Sequence, residues 1–291
     1  MNSIFYQIKY PYSEKFIKVK DYEIAYIDEG NSKNVLLFIH GLGSYLKAWD
    51  RNIPELKTHF RCIALDLPGY GKSSKQVHSG EVNFYTEVLK EFITKLGLKN
   101  ISLVGHSMGG QIAASYVISY PNEILDLILV APAGFETFNS DEVEIIKKII
   151  STDILFNTSD NQIRLNYKNN FFKMPLEAED MIADRIAIKN DEEFFNHCTV
   201  VSNSLFGLLK APVYERLNEI DIPTLVLYGK NDLLIPNKSI HQKTTEEIAS
   251  QGSSKIKSSR LILLDECGHF LQYEKPDRFN SEVISFISKK N

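Results

Sequence analysis

The sequence contains little of what marks a disulfide-bonded or zinc-stabilised protein. Of its 291 residues only three are cysteines, Cys62, Cys198 and Cys267, and no two of them form a CxxC pair. An odd number of widely spaced cysteines is not the pattern of a disulfide framework or of a structural zinc site. Reduced thiols are typical of the cytoplasm, so we expect a cytoplasmic protein.

An excess of basic residues and long apolar runs are also missing. The chain has 33 Lys and Arg against 37 Asp and Glu, a formal net charge of -4. Nucleic-acid-binding domains carry a basic surface, so we expect no nucleic-acid partner. No run reaches the roughly 18 apolar residues of a membrane helix, and polar residues interrupt the first 16, unlike a signal peptide. We expect no membrane partner either, while the oligomeric state stays open.

Apolar runs separated by helical patterns indicate an α/β protein. Three near-continuous runs of Val, Ile, Leu and Phe, at residues 35–40, 61–67 and 101–106, are typical of parallel strands buried on both faces. Apolar residues at helical spacing predict a crossover helix at 82–96. An alternating pattern at 16–28 predicts a hairpin that precedes these elements.

Helical segments replace this alternation in the middle of the chain. Amphipathic patterns such as the one at 178–188 follow one another without an intervening strand, and the strand pattern returns only at 221–229. A helical insertion of about 80 residues has the size of a small domain. The sequence therefore predicts a core domain formed by residues 1–134 and 213–291, with a helical cap formed by residues 135–212.

Three further elements are expected towards the C-terminus. A helix is predicted at 238–249, a strand at 260–266 and a terminal helix from Pro276. The polar segment 251–259, rich in serine and lysine, indicates an exposed loop.

A serine in a glycine-rich turn supplies the strongest chemical signal. Gly105-His106-Ser107-Met108-Gly109 follows a predicted buried strand and precedes a helical pattern, which is the setting of a nucleophile elbow. The sharp turn requires glycine on both sides, because Cβ atoms there would crowd the strand against the helix. We predict that Ser107 is a catalytic nucleophile. The alternative is a tight turn whose serine only caps a helix.

A serine hydroxyl needs a histidine base that a carboxylate orients. His269 follows the last predicted strand, at the edge of the sheet where α/β active sites collect, and is the predicted base. Asp232 follows the strand at 221–229 and is the predicted orienting group, with an Asx turn as its alternative. Asp265 and Glu266 compete for this role, but they are so close to His269 in sequence that their reach would be awkward.

A second glycine-rich turn, His40-Gly41-Leu42-Gly43, follows the first buried strand. Attack of a serine on an ester carbonyl places negative charge on the carbonyl oxygen, and fixed backbone N–H groups stabilise that charge. We predict that the N–H groups of Leu42 and Met108 form this oxyanion hole. The alternative is a strand end without a catalytic role.

Three side chains are expected to contact the substrate. His40 and Trp49 lie next to the oxyanion turn in sequence, and Phe135 lies at the start of the predicted cap. Trp49 has an equally plausible alternative, which is packing against a helix.

No cofactor and no metal ion are expected. Gly71-Lys72-Ser73 resembles the end of a P-loop, but that motif requires glycine where this chain has Asp66. The glycine pair of the oxyanion turn opens a dinucleotide-binding pattern, yet its third glycine is replaced by Leu46. No HExxH or CxxC motif for a metal ion is present.

The motifs together resemble the α/β-hydrolase superfamily, in particular capped members of the esterase and lipase type. The resemblance implies an eight-stranded, mostly parallel sheet flanked by helices, a triad of Ser107, Asp232 and His269, and an oxyanion hole at Leu42 and Met108. Dehalogenase-like and epoxide-hydrolase-like relatives carry aspartate where this chain has serine, so an acyl-enzyme intermediate is implied. The matching segments are HGLGS at 40–44, ALDLPGYGKSS at 64–74, GHSMGG at 105–110, IPTLVLYGKNDLLIP at 222–236 and CGHFLQYEKPDRF at 267–279.

The sequence therefore predicts a serine hydrolase, carboxylesterase-like, that cleaves a small, moderately apolar ester with water. One alternative is hydrolysis of a carbon–carbon bond next to a ketone. That reaction would need a cationic contact to an acidic substrate, for which the cap offers only Arg164 and Arg185. Another alternative is a non-catalytic ligand receptor built on the same fold.

Overall fold

An eight-stranded sheet forms the centre of the computed structural model, which describes residues 3–288. The outer ends of the predicted core domain, residues 1–2 and 289–291, lie outside the described residues. The strands are β1 (Lys15–Val19), β2 (Tyr22–Glu29), β3 (Val35–Ile39), β4 (Arg61–Leu65), β5 (Ile101–His106), β6 (Ile124–Val130), β7 (Thr224–Gly229) and β8 (Ser259–Leu264).

The sheet is mostly parallel. Its strand order is β1-β2-β4-β3-β5-β6-β7-β8, with antiparallel pairing of β1 with β2 and of β2 with β4, and parallel pairing elsewhere. Every residue of β3, β5 and β7 is buried. Helices cover both faces, which explains why these strands are near-continuous apolar runs. The predicted fold class is confirmed, and the predicted N-terminal hairpin is β1–β2.

Helices flank the sheet and fill the segment between β6 and β7. None of the described helices combines the length and the apolar character needed to cross a membrane. Their bounds are α1 (Ile4–Gln7), α2 (Ile53–Leu56), α3 (Val82–Lys95), α4 (Met108–Ser119), α5 (Ser140–Ile149), α6 (Thr152–Phe156), α7 (Asp160–Lys168), α8 (Ala178–Ala187), α9 (Phe194–Lys210), α10 (Thr245–Lys255), α11 (Leu271–Glu274) and α12 (Pro276–Ser288).

Two predictions near the C-terminus are wrong. The helix expected at 238–249 is α10, which starts later because Thr244 and Glu247 form a capping box: each side chain accepts a hydrogen bond from the backbone N–H of the other residue. The same helix continues to Lys255, so it occupies part of the segment 251–259 that was expected to be an exposed loop.

The carboxyl ends of four parallel strands bring the predicted functional residues to one edge of the sheet. The turn at 40–44 follows β3, Ser107 follows β5, and the loops that contain Asp232 and His269 follow β7 and β8. Ligands of open α/β sheets bind outside this edge. The topology therefore joins residues that are far apart in sequence.

Candidate active site

The turn between β5 and α4 has the strained geometry of a nucleophile elbow. Ser107 has a φ of 53° and a ψ of -116°, a conformation that L residues rarely adopt. A Cβ atom on Gly105 would lie 2.2 Å from the carbonyl oxygen of Gly109, and one on Gly109 would lie 2.3 Å from that of Ile39. Only glycine fits at both positions, and the Ser107 N–H is fixed by a 2.9 Å hydrogen bond to the carbonyl of Val130.

Asp232 and His269 form a buried hydrogen-bonded pair. His269 Nδ1 lies 2.7 Å from Asp232 Oδ2, and the two residues are 3% and 2% exposed. The other carboxylate oxygen accepts the N–H groups of Leu234 at 2.7 Å and Ile235 at 3.0 Å. Asp232 thus forms an Asx turn and contacts the imidazole as well. An ionised carboxylate only accepts hydrogen bonds, so the proton lies on Nδ1 and leaves Nε2 of His269 as the acceptor.

The two competing carboxylates point away from His269. Asp265 forms an ion pair with Lys230 at 2.8 Å, and 80% of its side chain is exposed. Glu266 is also exposed. Neither of them has a hydrogen bond to the histidine ring in the described part of the chain.

Ser107 and His269 line the same cavity above the sheet edge. No hydrogen bond joins the Ser107 hydroxyl to the imidazole in this structure. Hydrogen bonds between a nucleophile and its base are often long or misaligned without substrate and tighten when it binds. The structure thus brings all three residues of the predicted triad to one site, but the hydrogen bond between Ser107 and His269 is not formed in it.

The turn after β3 packs directly against the elbow. A Cβ atom on Gly41 would lie 3.2 Å from that of Ser107, and Leu42 lines the cavity beside it. Met108 is the first residue of α4, where backbone N–H groups lack partners inside the helix. Within residues 3–288, no protein acceptor pairs with the N–H of Leu42 or of Met108. Both groups are therefore free to bind an oxyanion.

His106 supports the loop that carries the predicted base. Its Nε2 donates to the carbonyl oxygen of His269 at 3.1 Å, and its ring packs against the rings of His269 and Phe270 at centroid distances of 4.9 and 4.5 Å. Burial, followed by the proximity of His269, holds the pKa of His106 well below its ordinary value. A neutral His106 thus fixes the backbone at His269.

Residues 170–173 also hold the loop that carries His269 in place. The Phe270 N–H donates to the carbonyl of Asn170 at 2.9 Å. The Glu274 carboxylate accepts the N–H of Gly268 at 2.8 Å and that of Phe172 at 3.2 Å. The histidine loop is therefore bonded directly to the helical segment between β6 and β7.

The expectation that His40 contacts substrate is wrong. The residue has no exposed surface and does not line the cavity. Its Nδ1 donates to the carbonyl of Gly41 at 2.8 Å, and its Nε2 accepts the N–H of Leu67 at 3.0 Å. Burial lowers the pKa of His40 to about 4. This histidine is a neutral bridge between the oxyanion turn and the segment after β4.

Acid should destabilise the protein through His40. The pKa of His40 in the folded state is about 4, below the ordinary 6.5. The free energy of unfolding that the neutral His40 contributes is therefore fully present above pH 6.5 and is lost as the pH falls from 6.5 towards 4. The loss amounts to about 3 kcal/mol at pH 4. Urea unfolding of wild type and His40→Asn at pH 7 and pH 4 measures it, and the variant should lose less stability between these values. Equal losses in the two proteins would contradict the assignment.

The expected substrate contacts of Trp49 and Phe135 are also wrong. The Trp49 side chain is fully buried between the rings of Phe38 and Phe279, at centroid distances of 5.0 and 6.2 Å. Phe135 packs against Gly252 of α10, where an added Cβ would lie 2.0 Å from the ring. Neither side chain lines the cavity at Ser107. Both belong to the core.

The cavity above Ser107 has a volume of about 320 Å³, and we call it the apolar lobe. Its aliphatic walls come from α5 with the adjoining Ile150, from α9 and from the loop after Asp232, and these residues are not identifiable from the sequence. They could not be singled out because each helix has several apolar positions and only packing decides which of them face a cavity. Its aliphatic lining includes Ile146, Ile150, Leu205, Leu208, Leu209 and Leu234.

A second cavity of about 230 Å³ adjoins the first, and we call it the polar lobe. The two share Leu42, Ile150, Asn170 and Phe270 in their linings. Arg185 lines the polar lobe. The oxyanion turn thus stands between an apolar and a cationic compartment.

Arg185 has a neutral partner. Its guanidinium donates to Nε2 of His197, whose Nδ1 donates to the carbonyl of Gly69 at 2.8 Å. Burial and then the charge of Arg185 keep the pKa of His197 well below its ordinary value. The adjacent Asp184 is bonded instead to Lys47 and Tyr45, at 2.6 Å each. No ion pair to Arg185 occurs within the described residues, so no carboxylate contacts its guanidinium directly.

Arg164, the other arginine of the predicted cap, lies on the surface. It pairs with Glu179 at 2.8 Å, and about half of each side chain is exposed. Sequence alone could not distinguish the two arginines, because both lie in amphipathic helices.

Comparison with known proteins agrees with this geometry. A family model described as the alpha/beta hydrolase fold matches residues 34–189, more than half of the chain. The chain belongs to the α/β-hydrolase family. The match includes the oxyanion turn and the elbow at Ser107, so the resemblance inferred from the motifs is confirmed.

Individual relatives of this α/β hydrolase cover nearly its full length. A 2-hydroxy-6-oxononadienedioate/2-hydroxy-6-oxononatrienedioate hydrolase from Pseudomonas putida is 28% identical, over 95% of this chain and 97% of its own. A probable hydrolytic enzyme from Pseudomonas aeruginosa has the same fold, with a TM-score of 0.84, 22% identity and coverage of 96% and 95%. A bacterial membrane phospholipase A has a TM-score of 0.77, 27% identity and coverage of 95% and 86%.

Proposed function

We propose that this α/β hydrolase cleaves a carbon–carbon bond next to a ketone, in an acid of the 2-hydroxy-6-oxo-dienoate class. The observation that carries the proposal is the uncompensated guanidinium of Arg185 in the lobe that adjoins the oxyanion turn. A partly buried arginine without a carboxylate partner is a strong site for a substrate carboxylate, since guanidinium and carboxylate form paired hydrogen bonds. Relatives named for such dienoic acids support this reading over the ester expected from the sequence.

The two lobes suit the two ends of such a molecule. The carboxylate binds Arg185 in the polar lobe, the ketone lies at Ser107 and the oxyanion turn, and the remaining acyl part enters the apolar lobe. The helical segment 135–212 acts as the cap, since it supplies Arg185 and most of the apolar walls.

The reaction begins with addition of Ser107 Oγ to the ketone carbon, while its proton passes to Nε2 of His269. Asp232 stabilises the resulting imidazolium, and the N–H groups of Leu42 and Met108 hold the negative oxygen. The carbon–carbon bond breaks when the substrate is in its 2-oxo tautomer. The electron pair of the broken bond is then delocalised onto the 2-oxo group of the leaving acid. His269 returns the proton to the 2-oxygen of the released dienolate, which gives 2-hydroxypenta-2,4-dienoate. Water, deprotonated by His269, finally attacks the acyl group and frees an acid from Ser107.

A substrate pair with a common acyl group tests the proposal. One member is 2-hydroxy-6-oxonona-2,4-dienoate and the other is p-nitrophenyl butanoate. We expect the enzyme to convert the dienoate to butanoate and 2-hydroxypenta-2,4-dienoate. The reaction is measured by the loss of the substrate's dienolate absorbance, and the products are identified by chromatography. Cleavage of the ester without any cleavage of the dienoate would contradict the proposal.

Removal of the cation gives a second, independent test. Arg185→Met should lower kcat/KM for the dienoate by about 100-fold, because the bound carboxylate loses its charged partner. Arg185→Lys should lose less, since it keeps the charge without the paired hydrogen bonds. Arg164→Met is the matched control and should retain wild-type kcat/KM. If Arg185→Met and Arg164→Met changed kcat/KM for the dienoate equally, Arg185 would not bind the substrate carboxylate.

Ester hydrolysis is the second candidate. The aliphatic walls of the apolar lobe favour it, because they suit a plain acyl chain, and the phospholipase relative acts on esters by its name. The same triad serves both reactions, which differ in whether oxygen or carbon leaves. The substrate pair described above separates the two candidates.

A further inference from the structure

The described residues that line the apolar lobe include a carboxylate but no lysine or arginine. Its only acidic residue is Glu136, which is 7% exposed. The Glu136 carboxylate accepts the N–H of Asn237 at 2.9 Å and the Nδ1–H of His241 at 2.5 Å. A negatively charged group that entered this lobe would meet aliphatic walls and a second negative charge.

The donors at Glu136 are already used. His241 also approaches Glu142, with Nε2 3.5 Å from its carboxylate, and its ring stacks on Phe138 at a centroid distance of 5.2 Å. His241 is therefore held between two carboxylates on the outer side of Glu136. It is not among the residues that line the lobe. The neighbouring Gln111 amide donates to the backbone carbonyls of Leu208 and Ala211, so it too is occupied.

We propose that the acyl part of the substrate is uncharged, so that the acid released from Ser107 is an apolar monocarboxylic acid. This inference rests on the proposed carbon–carbon hydrolase function and specifies its substrate class. A carboxylate transferred from water into an apolar cavity without a cationic partner loses its hydration and gains nothing in return. Glu136 adds repulsion at short range. The Pseudomonas putida relative is named for a dienedioate, so the two proteins would differ in the acyl end that they accept.

Three substrates that differ only at the acyl end test this inference. All contain the 2-hydroxy-6-oxo-2,4-dienoate unit, and the acyl chain ends in a methyl group, a carboxamide or a carboxylate. The carboxamide matches the size of the carboxylate without its charge. The expected order of kcat/KM is methyl, then carboxamide, then carboxylate, with the carboxylate about 100-fold below the methyl substrate.

A pair of matched variants assigns the repulsion to one residue. Glu136→Gln removes the charge inside the lobe and should raise the kcat/KM ratio of carboxylate to carboxamide substrate by about five-fold. Glu142→Gln removes a charge from the same cluster outside the lobe, and its ratio should remain that of wild type. Because the readout is a ratio measured on one protein, partial misfolding of a variant does not alter it.

The outcomes separate this inference from the proposed function. If the carboxylate substrate is cleaved as well as the methyl substrate, the inference is wrong and the carbon–carbon hydrolase function stands. If none of the three dienoates is cleaved, both are wrong. If the ratio is the same in Glu136→Gln and Glu142→Gln, Glu136 has no part in the selection.

Discussion

Replacement of Ser107 by alanine is expected to lower kcat/KM by about 10⁵-fold, for the dienoate and for the ester alike. Both reactions begin with attack by the same hydroxyl, and without it only the oxyanion hole and substrate binding remain. The fold should persist, because the hydroxyl forms no hydrogen bond in the described structure and the backbone of the elbow is held by its glycines and by Val130.

The matched control for this variant lies on the helix that follows the elbow. Ser115→Ala alters a serine of α4 that lies outside the cavity at Ser107 and should keep wild-type kcat/KM. Circular dichroism and thermal unfolding establish that both variants fold. A folded Ser107→Ala protein that retained more than about 1% of activity would refute the nucleophile assignment.

Replacement of Asp232 by asparagine should lower kcat by about 10⁴-fold while the protein remains folded. Asparagine keeps an oxygen for the N–H groups of Leu234 and Ile235 and so preserves the Asx turn. Its amide group donates hydrogen bonds, however, and therefore conflicts with the Nδ1–H of His269. The imidazole would adopt the other tautomer, with Nε2 protonated and unable to accept the proton of Ser107.

Asp265→Asn provides the corresponding control. Asp265 is one of the two carboxylates that compete with Asp232 in the sequence, and its ion pair with Lys230 lies on the surface. Surface ion pairs contribute little to stability, so this variant should match wild type in kcat and closely in unfolding temperature. Equal losses of kcat in Asp232→Asn and Asp265→Asn would show that the orienting carboxylate has been misassigned.

Sequence patterns located the centre of the sheet because its central strands are buried on both faces. The runs at 35–40 and 101–106 correspond to β3 and β5, and the crossover helix at 82–96 corresponds to α3. Burial on both faces leaves almost no polar residue in such strands, which makes their pattern unambiguous. Ser107 directly follows β5, so its position could be predicted together with the fold, and His269 follows β8, which is only half-buried but still an apolar run.

The errors arose where tertiary packing overrides local composition. The segment 251–259 is polar and contains glycine, yet α10 extends to Lys255, and Gly252 allows the ring of Phe135 to approach the helix backbone. Phe135 is thereby drawn into the core and away from the substrate. His40 was misassigned for a similar reason, since its sequence position beside the oxyanion turn does not reveal that both ring nitrogens bind backbone groups.

The sequence alone could not predict whether an ester or a carbon–carbon bond is cleaved, and the reason is physical. It depends on whether a cation faces the cavity, and Arg164 and Arg185 occupy equivalent positions in amphipathic patterns. Only the fold brings Arg185 of α8 into contact with the neutral His197 of α9 and places it at the second cavity. The proposed substrate class therefore rests on contacts within the helical segment rather than on the motifs of the core.

Covalent labelling tests most directly whether the elbow, the imidazole and the carboxylate form one working site. A fluorophosphonate, which phosphonylates activated serines with loss of fluoride, should give a single adduct in the intact mass of the wild-type protein, and peptide mapping should place it on Ser107. Labelling should be about 1,000-fold slower or more in Asp232→Asn. An adduct on another serine, or equal rates in the two proteins, would contradict this account.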